Sequence, residues 1–307
     1  MRLLDQVAQA RLALDIEDAT GRYQMPGVGA LADALSACPT RFIADPNVAA
    51  YCGALLATDR AMLTGQNEFL RVPASSFWLE WSCEPFEEGT SGSRTGLLVQ
   101  AGEDGRTGRV TTIWEQPHGE PAAGQMTVIF DLNQDVLHRD APAGACALRP
   151  GSHPLAPHLL FELRPEWRRH FTSCSEGDAL RAAGTVAESI LPGIEFLFVF
   201  SALLAERACL RRDEIDLTRL NRQRLRTGKA PLLNHAEVRL DLSAGVRSQA
   251  HEISGSREPA RLHSVRGHMV QRAGHTFWRR SHFRGDPSRT GWVRTVHVLR
   301  KLGQDRP

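Results

Sequence analysis

Between Phe77 and Leu132 four short strand-like runs follow one another with only turn-rich segments between them. The runs are Phe77 to Trp81, Leu97 to Ala101, Arg109 to Trp114 and Met126 to Leu132. The connections carry Gly89-Thr90-Ser91-Gly92, then Glu103-Asp104-Gly105, then Pro121 to Gly124. Parallel neighbours need a crossover of a dozen or more residues, usually a helix. No helical pattern occurs in these connections, so the runs are expected to pair as a four-stranded antiparallel meander, which argues against a doubly wound parallel sheet. Phe77-Trp78-Leu79-Glu80-Trp81 alternates only in part and reads as a mostly buried strand. Trp78, Trp81 and Trp114 are expected as core anchors of this sheet.

The rest of the chain arranges itself around that meander. Leu3, Leu4, Val7, Ala10, Leu12 and Leu14 give residues 1 to 24 an apolar stripe of near-helical spacing, ended by Met25-Pro26-Gly27. A short helix is expected over Gly29 to Ala37 and a longer one over Asn47 to Gly65. Residues Leu137 to Gly184 are proline-rich and give little pattern beyond a helix near Pro165 to His170. Ala187 to Leu210 is the strongest helix, with Pro192 placed near its start. Phe196, Leu197, Phe200, Leu203 and Leu204 make it apolar nearly all round, so it should be central and buried. Arg219 to Pro231 reads as a basic linker or helix end stopped at Gly228. Ala236 to Leu242 alternates as a half-buried strand and is expected to open a C-terminal sheet; Ser243 to Pro259 reads as a loop. The expectation is an α+β fold. It comprises a helical N-terminal region over 1–70, an antiparallel sheet with the buried helix over 71–210, and a basic C-terminal antiparallel sheet over 211–307.

Charge is unevenly spread. Residues 211–307 hold 21 Lys+Arg against 9 Asp+Glu, whereas the other residues hold 16 against 26. All but Lys229 and Lys301 of the basic residues are arginine, which a GC-rich genome would also produce. The C-terminal stretch contains three strand-like runs: Leu262 to Arg272, Thr276 to Arg284 and Trp292 to Arg300. Ala273-Gly274 is a hairpin signal between the first two. By alternation, Arg266, His268 and Arg272 share one face of the first run; Trp278, Arg280, His282 and Arg284 share one face of the second; Arg294 lies with Trp292 on the third. An Arg/His/Trp front over an apolar back is expected. Two readings stand: a solvated outer face, or a polyanion-binding face in which guanidinium groups grip phosphate.

The chain has no phosphate-binding or dinucleotide-binding glycine loop, nucleophile elbow or paired-histidine zinc helix. His263, His268, His275, His282 and His297 carry no cysteine or paired carboxylate beside them, and no metal or cofactor is expected. An acid–base pair is chemically open: His268 or His282 could move protons while Arg266 or Arg280 stabilises phosphate charge, as in a metal-independent ribonuclease. His153 and His158 are expected in surface or capping roles, and Glu87-Glu88 in a solvated loop. Cys38, Cys52, Cys83, Cys146, Cys174 and Cys209 are scattered, without a C-x-x-C pair, and read as reduced, mostly buried thiols of a cytoplasmic protein. Charges through the first 18 residues argue against a secretion signal. The longest nearly apolar run, Phe196 to Ala205, is about half of what a bilayer crossing needs.

His263-Ser264-Val265-Arg266-Gly267-His268, followed by a hairpin and a basic strand with tryptophan, resembles a loose group of phage-encoded proteins. That group includes the type V-A anti-CRISPR inhibitor of Cas12a production. Val72-Pro73 before the aromatic strand around Trp78, the apolar helix from Phe196 to Leu204, and Gly228-Lys229-Ala230-Pro231-Leu232 fit the same arrangement. The closer similarity covers about a third of the chain. The resemblance implies a phage accessory protein in the cytoplasm of a bacterial host, acting on a defence system through RNA, ribonucleoprotein or protein contacts. Three classes follow: a non-enzymatic binder of RNA or a ribonucleoprotein, a His/Arg ribonuclease, or a structural protein docking on an acidic partner.

Overall fold

A computed structural model describes residues 2–10, 13–18, 21–26, 28–58, 60–65, 70–82, 94–116, 119–135, 145–165, 176–205, 210–240, 263–265, 268–272, 275–279 and 282–284. The fold is α+β, built on a nine-stranded mixed sheet. The meander is its centre. Strands β4 (Ser76–Ser82), β5 (Arg94–Ala101), β6 (Thr107–Glu115) and β7 (Pro121–Asp131) pair in sequence, each antiparallel to the last. β9 (Leu159–Leu163) pairs with β7, and the short β8 (Ala145–Ala147) with β9 at one edge.

The other half of the sheet comes from outside the meander. β3 (Thr40–Ala44) lies parallel to β4, and the segment between them includes α3 (Pro46–Thr58), the crossover that a parallel pair requires. β11 (His235–Leu240) lies parallel to β3, and β10 (Leu210–Ile215) closes the other edge. Residues 236–240 were expected to open a separate C-terminal sheet; instead they join the central one. The sheet therefore takes strands from all three stretches, 1–70, 71–210 and 211–307. The local pattern of a strand sets its faces but not its neighbour.

Both faces of the sheet are covered. On one, α3 and α4 (Glu176–Ala205) pack over Phe42, Phe77, Leu79, Trp81, Val99, Val128, Phe130 and Phe161. Ile194 to Phe200 of α4 are buried without a break. Trp81 stacks on Phe196 with ring centroids 4.1 Å apart; Phe42 meets both Phe77 and Phe200, and Phe130 sits edge-on to Phe198. Gly184–Ala205 is long and apolar enough to cross a membrane by length and composition; here its C-terminal half lies in the core. Pro192 is inside α4, not near its start. It faces solvent, and the carbonyl deprived of its donor belongs to exposed Glu188, where water can take the donor's place.

On the opposite face, α1 (Leu3–Ala8) and α2 (Ala32–Ala37) set Leu3, Leu4, Val7, Leu35 and Cys38 against Trp78, Leu98 and Ile113. With cover on both sides, β4 is buried at five successive positions, which accounts for its weak alternation. The helix expected over residues 1–24 stops at Ala8 and is followed by a hairpin of β1 (Ala13–Asp18) and β2 (Gly21–Pro26). The reason lies in Leu12, Leu14 and Ile16, which fit a period of two interrupted by Ala13, Asp15 and Glu17. Trp114, expected as a core anchor, is 39% exposed next to the last residue of β6.

Buried Glu80 fixes α1 to the sheet. Its Oε1 accepts the Leu3 N–H and its Oε2 the Leu4 N–H, both at 2.9 Å, and Oε2 also accepts the Trp78 indole N–H at 3.2 Å. The first N–H groups of a helix have no partner inside it, so the carboxylate does what no side chain on α1 does. Burial pushes the Glu80 carboxyl above the ordinary range; the three donors and the nearby Arg94 charge pull against that.

Candidate nucleic-acid interface

The basic stretch after residue 262 folds as four short strands. β12 (His263–Val265) pairs antiparallel with β15 (His282–Arg284), and β13 (His268–Arg272) with β14 (His275–Arg279). The first expected run is thus two strands, and so is the second. The third, Trp292 to Arg300, lies outside the described residues, as do Arg266, Arg280 and Arg294. The same holds for Glu87-Glu88, residues 166–170 of the helix expected near 165–170, and the loop over 243–259.

The register corrects the expected face. Arg272 pairs with His275, leaving two residues between them, and from there His268 falls opposite Arg279 and Met269 opposite Trp278. Directly paired residues share a face of the ladder. His268, Arg272, His275 and Arg279 therefore share one face of β13–β14, and Trp278 is on the other with Met269. Equal parity along the sequence does not mean a common face when a two-residue turn joins antiparallel strands: each position pairs with one of opposite parity. His275 and Arg279 were missed for this reason, and counting outward from Ala273-Gly274 would have found them. In β12–β15, His263 pairs with Arg284 and Val265 with His282. The two candidate acid–base histidines, His268 and His282, thus belong to different ladders.

A second basic element lies in the stretch that reads as a basic linker or helix end, and it is a helix stopped at Gly228. α5 (Thr218–Arg226) stands between β10 and β11 and buries none of its residues. It is nevertheless well built. Asp216 Oδ1 accepts the Thr218 N–H at 2.9 Å and its hydroxyl at 2.6 Å, and these bonds hold the Asp216 carboxyl below the usual range. At the other end Gly228 takes a positive φ of 70°. Its N–H bonds the Leu225 carbonyl and the Lys229 N–H bonds the Arg224 carbonyl, a complete Schellman stop. The Asn221 side chain exchanges two 2.8 Å bonds with the Leu232 backbone, and Arg224 Nε donates to the Ala230 carbonyl at 2.8 Å. No acidic residue occurs between Asp216 and Glu237, while Arg219, Arg222, Arg224, Arg226 and Lys229 all do.

The remaining polar clusters hold the fold together. His153, expected at the surface or in a cap, is 7% exposed. Its Nδ1 accepts the Leu155 N–H at 3.1 Å, so Nε2 carries the proton and donates to Glu195 of α4 at 2.7 Å. His158 does cap: Nδ1 donates to the carbonyls of Asp131 and Gln134. Burial lowers the basicity of His235, against the opposing bond to the Leu233 carbonyl. Among the described residues Cys38, Cys52 and Cys146 are free thiols, and no group of three or more His, Cys, Asp or Glu is placed to hold a metal ion. No family of known proteins, no curated protein and no solved structure matches the chain.

Proposed function

We propose that this is a phage-type accessory protein that binds RNA or a ribonucleoprotein in a bacterial host cell, acting by occupancy rather than turnover. The host-defence part of the proposal rests on the resemblance carried by His263 to His268 and its flanks. The binding part rests on one observation: three His–Arg pairs, His263–Arg284, His268–Arg279 and Arg272–His275, face each other directly across the two ladders. Each pair sets a guanidinium opposite an imidazole, and neither brings a negative charge to the ladder. No carboxylate occurs in the sequence between Glu258 and Asp286. A phosphate backbone supplies the missing negative charge, and guanidinium groups bind phosphate in bidentate geometry.

The test is filter binding of the full chain to a labelled single-stranded RNA across salt from about 50 to 200 mM, where phosphate-driven affinity falls steeply. Arg272→Ala with Arg279→Ala should flatten the log–log salt slope by about 1.4, at about 0.7 per lost contact. Trp278→Ala should leave that slope unchanged. Cleavage of the RNA that His268→Ala abolishes would replace this reading with the ribonuclease. No association at low salt would leave the ladders as a docking surface for an acidic protein.

A further inference from the structure

Arginines on the elements around α5 are neutralised. Arg2 pairs with Glu237 at 2.7 Å, Arg211 with Asp213 at 2.8 Å, Arg212 with Glu214, and Arg239 with Glu237 at 2.7 Å. On α5 the pattern stops. Among the described residues no ion pair joins a carboxylate to Arg219, Arg222, Arg226 or Lys229, the Asp216 carboxyl feeling the Arg222 charge only at longer range, and all four are exposed. An arginine-rich genome explains abundant arginine, but not arginines ion-paired on β10 and β11 and without an ion pair on the helix between them.

Spacing makes these cations a stripe. Positions 219, 222 and 226 stand at i, i+3 and i+7, one face of a helix, and span about 10 Å at 1.5 Å per residue. The inward side is set by Asn221 and Arg224, whose side chains bond the returning chain at Leu232 and Ala230. Leu220 and Leu225, 43% and 61% exposed, fall to either side of that inward line rather than at the centre of the outer face. The centre of a protein–protein interface is apolar and poor in charge. This outer face is the reverse, all guanidinium with Gln223 among it, and suits phosphate.

We infer that the outer face of α5 is a sequence-independent phosphate-binding arm, with Arg219, Arg222 and Arg226 gripping the backbone of the same RNA that the β13–β14 ladder engages. This rests on the RNA-binding reading. Because the Asp216–Thr218 bonds, the Schellman stop and the Asn221 clamp already fix the helix, binding need not order it, and the arm adds contacts at little entropic cost.

The experiment compares three full-length chains on a labelled RNA: wild type, Arg219→Ala/Arg222→Ala/Arg226→Ala, and Arg272→Ala/Arg279→Ala. Losing three phosphate contacts should flatten the salt slope by about 2 and weaken binding about 100-fold near 0.1 M salt. Arg219→Lys/Arg222→Lys/Arg226→Lys should restore the slope, since charge is kept. α5 buries nothing, so the melting temperature of the triple alanine variant should match wild type. If wild type binds and the α5 triple binds with the same slope and affinity, the arm is refuted while the ladder reading survives. If the α5 triple loses binding and the ladder variant does not, the arm stands and the ladder reading falls. If wild type binds no RNA at any salt, both fall; capture of an acidic protein that the α5 triple releases would then assign the stripe to a protein partner.

Discussion

Replacing Glu80 by alanine should detach α1 from the sheet. Glu80 is 2% exposed and accepts three N–H groups: Leu3 and Leu4 at 2.9 Å and the Trp78 indole at 3.2 Å. The substitution leaves all three donors buried without an acceptor. Each orphaned buried donor costs about 1–3 kcal/mol. The lower bound is therefore about 3 kcal/mol, before counting the space left beside Trp78, a large share of the stability of an ordinary domain. Urea unfolding followed by tryptophan fluorescence should show it, because Trp78 both loses its acceptor and lies under α1. Glu80→Gln keeps the size and one acceptor oxygen but turns an amide N–H₂ toward donors, so it should fall between wild type and alanine. Hydrogen exchange should place the change in residues 3–8, the helix that the carboxylate caps. A loss below about 1 kcal/mol, with α1 amides still protected, would mean that the cap contributes little and that apolar contact of Leu3, Leu4 and Val7 alone holds the helix.

Three further outcomes follow from the packing. Phe200, fully buried against Phe42 and Phe196, should cost about 3–5 kcal/mol on replacement by alanine, read as a drop in urea midpoint. Gly96→Ala would set its methyl 2.2 Å from Trp78 Cζ2, so the indole or the strand must move; we expect a loss of about 1–3 kcal/mol and a shifted tryptophan emission. Arg94 donates to both oxygens of Glu115, at 2.8 and 2.5 Å, and these bonds hold the Glu115 carboxyl below the usual range. A lowered carboxyl contributes stability that is present above its unfolded value and lost as pH falls through the folded one. The stability deficit of Arg94→Met should therefore be present at neutral pH and vanish on acidification through that range; a deficit independent of pH would assign it to lost packing of the arginine stem.

The amino-acid sequence by itself determined the elements whose partners are near in the chain. Turn-rich connections left β4 to β7 no option but to pair with their neighbours, and they do. Residues 196–204 are apolar nearly all round, which only a core helix satisfies, and Gly228 marks the stop of α5 because its positive φ suits a residue without a side chain. Tertiary structure alone decided the pairings across long distances. Ala236 finds Phe42, and Glu237 finds Ile43, through backbone hydrogen bonds that carry no side-chain signature. His153 reads as a loop histidine until α4 brings Glu195 to it. Register, too, was out of reach of alternation: it fixed which residues of β13 share a face with β14, separating Trp278 from His268 and Arg272. Alternation along one strand says which residues go together, but only the pairing with the next strand says which set of the two they meet.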